Sequence, residues 1–110
     1  MKFVVKESEW YRGKHGSNLL RGDGTKCCIG FVAQQCGIAD HAILNRAAIH
    51  MNPGDILAGV PEWMKHEGWL ANDISLAYAA NDDSLLTDDE RKVELQAIFA
   101  RNGDELEFIP

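Results

Sequence analysis

The chain has 110 residues, of which 45% are hydrophobic and 25% charged, and its net charge is −6. That is enough chain for one globular domain with a modest core, and no apolar run approaches the roughly 18 residues of a membrane span. Residues 1–55 carry seven Lys/Arg against five Asp/Glu, and residues 56–110 carry four against twelve, so the second half suits a basic partner and repels bare nucleic acid.

In chain order, Lys2 to Lys6 reads as a short strand, because Phe3, Val4 and Val5 are strong strand formers. Its early lysines do not read as a secretory signal, and the expectation is a cytoplasmic protein without membrane contact. Ser8 can cap a brief helical turn through Glu9, Trp10 and Tyr11, ended by Gly13. Residues 17–21 and 25–27 flank Gly22-Asp23-Gly24, which reads as a hairpin turn. Cys28 to Cys36 reads as a helix stopped by Gly37, and Asp40 as the cap of a second helix over 41–51 with Ile43, Leu44, Ala47, Ala48 and Met51 on one face. Asn52-Pro53 ends that helix and Pro61 opens a short one through Trp63 and Met64.

Asn72 or Asp73 caps a further helix containing Ile74, Leu76, Ala77, Tyr78 and Ala80. Thr87-Asp88-Asp89-Glu90 is a capping box with extra carboxylates in the first turn, where the helix dipole favours them. Asn102-Gly103 stops that helix, and Glu105 to Ile109 alternates as a closing strand. The whole predicts an α+β domain spanning 1–110: a small antiparallel or mixed sheet of about three strands (near 2–6, 17–27 and 105–109) with four to five helices.

No arrangement of residues declares a reaction, so the expectation is a chain that is not an enzyme and has no cofactor and no metal site. Cys27, Cys28 and Cys36 are odd in number, which argues against a disulfide framework. On a helix Cys28, Val32 and Cys36 share a face with Ile29 and suit a core, while Cys27 points elsewhere and reads as the exposed thiol. Arg12, Lys14, Arg21 and Lys26, interleaved with glycines, are candidates for a phosphorylated ligand or nucleotide, or simply a solvated hairpin. Asp82, Asp83, Asp88, Asp89 and Glu90 lack the spacing of a calcium loop. They read as a solvated helix start, as a recognition surface for a basic protein or, least favoured, as ligands of a divalent cation. Trp63 is the aromatic candidate to anchor such a partner. On the last helix, Val93, Ala97 and Ala100 lie opposite Leu95, Ile98 and Phe99. That second stripe either lies under another element or docks a partner or a second copy as a homodimer.

The run Gly24-Thr25-Lys26-Cys27-Cys28-Ile29-Gly30-Phe31 with Cys36-Gly37, then Ala80-Asn81-Asp82, Leu86-Thr87-Asp88-Asp89-Glu90-Arg91, Phe99 and Leu106-Glu107-Phe108, resembles small uncharacterised proteins of bacteriophages and prophages. The resemblance covers most of the chain outside about 38–72 and carries no reaction or catalytic set. It implies a context in which small acidic proteins bind and block a host protein. The resulting expectation is a non-enzymatic inhibitor acting in the host cytoplasm. Its acidic surface would antagonise a nucleic-acid-handling protein such as a CRISPR–Cas or other defence effector, without binding nucleic acid itself. The alternative is a binder or sensor of a small phosphorylated ligand.

Overall fold

A computed structural model describes residues 1–14, 18–46, 59–64 and 73–110. Strand β1 (Lys2–Lys6) lies beside strand β2 (Glu105–Ile109), so the two ends of the chain meet. They pair parallel, in the register Lys2 to Glu105 through Lys6 to Ile109. Alternation decides the faces: Phe3 and Val5 on β1 and Leu106 on β2 turn into the core. Lys2 Nζ crosses the outer face to Glu107 at 2.8 Å. The unpaired edge of β1 is closed by a side chain: Gln35 Nε2 donates to the Val4 carbonyl at 2.6 Å, and Gln35 Oε1 accepts from the Val4 amide at 2.9 Å.

Between the strands run four α-helices among the described residues: α1 (Cys28–Gln35), α2 (Asp40–Ile43), α3 (Asp73–Asp82) and α4 (Asp88–Arg101). Short 3₁₀ turns occupy Glu7–Glu9 and Glu62–Met64. The α+β class is as expected, but the sheet has two parallel strands rather than about three antiparallel or mixed ones. The missing strand is the hairpin over 17–27. Its turn forms, with Asp23 Oδ1 accepting from the Thr25 amide at 2.9 Å and from its hydroxyl at 2.6 Å. Its arms stay joined, with the Arg21 amide donating to the Thr25 carbonyl at 2.8 Å and the Cys27 amide to the Asn18 carbonyl at 3.1 Å, but the strand-like bridges go elsewhere: Lys26 bridges to Trp10, and Leu20 bridges to Leu44.

Helix α1 is the centre of the molecule. Cys28, Ile29, Gly30, Phe31, Val32 and Ala33 are all buried, so it is enclosed on every side rather than amphipathic. Gly30 is required sterically: a Cβ there would lie 1.8 Å from the Leu19 carbonyl oxygen. Cys27 is also buried, which corrects its reading as the exposed thiol. Helix α2 is shorter than the 41–51 expected. Leu44 leaves helical geometry, Asn45 adopts a positive φ of 57°, and the Asn45 amide donates to the Leu20 carbonyl at 2.7 Å. The competing backbone bridge ends the helix there. Ala47, Ala48 and Met51 lie outside the described residues, as does Asn52-Pro53.

Helix α4 begins as its sequence dictates. Thr87 Oγ1 accepts from the Glu90 amide at 3.1 Å and Glu90 Oε1 accepts from the Thr87 amide at 3.0 Å. Leu95, Ile98 and Phe99 are buried, and Phe99 meets Phe3 edge-on at 6.2 Å between centroids. At its far end Arg101 pairs with Asp73, and Asn102 Nδ2 donates to the same carboxylate at 2.6 Å, clamping the start of α3 to the end of α4.

Candidate protein-binding surface

Most polar chemistry in the described residues serves the fold. Asn81, fully buried near the end of α3, accepts through Oδ1 from the Trp10 indole at 2.8 Å and from the Cys28 amide at 3.0 Å. The second bond satisfies an open donor at the start of α1, whose preceding residue Cys27 makes no side-chain cap. Asn81 Nδ2 donates to the Tyr11 carbonyl at 3.1 Å. Beside it, Arg91 is 2% exposed. Its guanidinium donates to the carbonyls of Ala80, Asp83 and Leu86 and to Asp88 Oδ1. Gly13 packs on this group, where a Cβ would stand 3.1 Å from Arg91 Nη2.

This arrangement redistributes the expected acidic site. Asp88 is shared between Arg12, at 2.8 Å, and Arg91. The hydrogen bond from Arg12 is the main cause holding its carboxyl below the usual range, with the charges of Arg12, Arg91 and Lys92 adding to it. Asp88 is therefore neutralised from within. Asp82 accepts from Asn81 Nδ2 at 3.0 Å. Asp83 caps the loop by accepting from the Leu85 amide at 2.8 Å, and is part-exposed. Asp89 and Glu90 are exposed on the first turn of α4; the capping bonds with Thr87 hold Glu90 low, so it stays charged in mild acid. One turn further along, exposed Glu94 extends the same stripe. Sequence reasoning overlooked Glu94, although its i, i+4 spacing from Glu90 marks it.

Trp63 is not an open anchor. Its indole donates to Asp104 Oδ2 at 2.8 Å and its ring meets Phe99 edge-on at 5.0 Å. Exposed apolar side chains lie elsewhere: Leu85 (90% exposed), Val93 (67%) and Leu76 (39%) on or beside α3 and α4, and Met1, Leu44 and Ile109 away from them. Ala97 and Ala100 are exposed too. The stripe opposite Leu95, Ile98 and Phe99 is thus open, not sandwiched.

The basic set fares less well as a ligand site. Lys26 is 4% exposed, with Nζ over the Phe31 ring and 3.4 Å from Glu9. Arg12 is held by Asp88 and the Trp10 carbonyl. Arg21 stacks on Tyr11 at 4.2 Å, and only Lys14 of the four is exposed. Burial raises the thiol of Cys27 to about 11, and those of Cys28 and Cys36 also rise for the same reason, which suppresses the nucleophilic thiolate. Among the described residues no three His, Cys, Asp or Glu side chains gather to hold a metal, and no helix is long and apolar enough to cross a membrane. No protein-family model matches the chain, and no curated protein or solved structure is significantly similar to it.

Proposed function

We propose that this chain is a non-enzymatic protein-binding antagonist of the phage type, whose acidic face occupies a basic, nucleic-acid-handling surface on a host protein such as a CRISPR–Cas or other defence effector. The observation that supports it is the side-by-side exposure on α4 of Asp89, Glu90 and Glu94 with Val93 and Ala97. Carboxylates steer the molecule to a Lys/Arg-lined groove and compete there with phosphate, and uncovered apolar area supplies short-range affinity. The working residues are Asp83, Asp89, Glu90 and Glu94; Asp88 is held by Arg12 and Arg91, Asp82 by Asn81, and Trp63 by Asp104 and Phe99. The phosphorylated-ligand reading has less support, since Arg12 and Lys26 are committed to internal partners.

The test is capture from bacterial lysate at low salt, after nuclease treatment, on the immobilised protein. Nucleic-acid-handling proteins that elute with rising salt are the expected result. Recovery of none of them overturns the proposal.

A further inference from the structure

Helices α3 and α4 run side by side, and a groove of about 310 Å³ lies between them. Buried Ala80 and Ile98 lie deepest in its lining, and exposed Ala79 from α3 and Ala97 from α4 border them. Leu76 closes one end and Leu86 the other. The rim is charged unevenly. Arg101, beside Leu76, is neutralised by Asp73. Asp83, just past the end of α3, and Glu94, on α4, complete the lining. The groove is therefore mostly apolar in its lining, with Asp83 and Glu94 giving it acidic character.

We propose that this groove receives one amphipathic helix of the partner protein, with apolar side chains facing Ala79, Ala80 and Ala97 and Lys or Arg flanking them against Asp83 and Glu94. The inference rests on the protein-binding reading and specifies how the partner is gripped. Alanines let a third helix come close to the pair, since interaxial distance is set by the side chains at the contact, and helix-in-groove recognition reads anchors spaced by three and four residues. Charge complementarity selects a basic occupant. A second copy of this chain is disfavoured: a two-fold interface through this groove would bring the Asp83 and Glu94 carboxylates of both copies into one contact, in chains that each carry −6.

The test uses a labelled Leu/Lys amphipathic peptide of about 18 residues, long enough to complete a helix on docking, and a control peptide with every Leu replaced by Gln. Binding is read by fluorescence anisotropy and by amide chemical shifts. The Leu/Lys peptide is expected to bind saturably at low salt and to shift the amides of Leu76, Ala79, Ala80 and Ala97. Ala97→Arg, on an exposed helical position, fills the groove and is expected to weaken binding by about tenfold or more. Glu94→Lys is expected to weaken it as well, a second variant should the first disturb the fold. No saturable binding of the Leu/Lys peptide overturns the inference. Equal binding of the Gln peptide, or no effect of Ala97→Arg in a protein that melts like the parent, also overturns it. Those last results leave an acidic surface that still meets a basic protein, so they separate failure of the groove from failure of the antagonist reading. Sedimentation as a dimer that Ala97→Arg splits overturns the inference in favour of a second copy.

Discussion

The indole of Trp10 donates to Asn81 Oδ1 at 2.8 Å across 71 positions of sequence, inside the core. The same oxygen caps the first turn of α1 through the Cys28 amide. One amide side chain thus joins the segment after β1, the buried helix α1 and the end of α3, and Arg91 locks the loop that follows. The acidic face of α4 is presented by this internal scaffold, and several of the chain's most distinctive residues belong to the scaffold rather than to the surface.

Asn81→Ala leaves the Trp10 indole and the Cys28 amide without their acceptor in a buried site. Each stranded donor costs about 1–3 kcal/mol. A loss of that order or twice it is expected in urea denaturation, with a red-shifted tryptophan emission. A variant as stable as the parent would show that water replaces the amide.

Gly30→Ala is expected to be costly as well. Its methyl would stand 1.8 Å from the Leu19 carbonyl oxygen, which only backbone displacement can relieve, and overpacking of this kind costs about 1–3 kcal/mol or more. Thr87→Ala provides the mild comparison: loss of the capping box costs about 1 kcal/mol. Thermal melts of the two variants should rank in that order.

Acid is expected to destabilise the fold, and Asp88 is one reason. Its carboxyl is held low in the folded state by Arg12 first and then by Arg91 and Lys92, against about 3.9 in an unfolded chain. A depressed folded value gives stabilisation that is complete above the unfolded value and is lost as pH falls through the folded one. Asp73, held low by Arg101 and Asn102, acts in the same window and direction. Asp88→Asn is expected to lower stability at neutral pH, because buried Arg91 loses its counter-charge, and to flatten the decline below about pH 4. Melting temperature against pH for the two proteins checks this.

Thiol titration reads the burial of α1 directly. In the folded protein Cys36, partly exposed, should react first and slowly, because burial raises its thiol. Cys27 and Cys28 should stay silent until urea is added. Rapid reaction of all three in the native state would contradict the packing described.

Local signals in the sequence were legible where one element satisfies itself. The capping box of α4, the terminal strands and the stop of α1 before Gly37 follow from short-range chemistry. What depended on distant partners was not. The arms beside Gly22-Asp23-Gly24 keep backbone bonds to each other but make their bridges to Trp10 and Leu44, and α2 ended at Leu44 because Asn45 turns its amide to Leu20. The acidic site was half legible: Asp83, Asp89 and Glu90 face outward, whereas Asp88 looked free until Arg12 and Arg91 were placed on it. Arg91, a charged residue in a helical first turn, gives no local sign of being buried. Asn81 and Gly30 act through contacts far along the chain, with Trp10, Cys28 and Leu19, which no local pattern announces.

The most direct measurement of the central claim is competition between this protein and nucleic acid for a captured partner. The quadruple variant Asp83→Asn, Asp89→Asn, Glu90→Gln and Glu94→Gln keeps shapes and capping bonds while removing the charge. The parent is expected to displace nucleic acid from the partner in a salt-sensitive manner, and the variant, with its fold intact, to leave it bound. Equal displacement by both proteins, or none by the parent at saturation, would contradict the account.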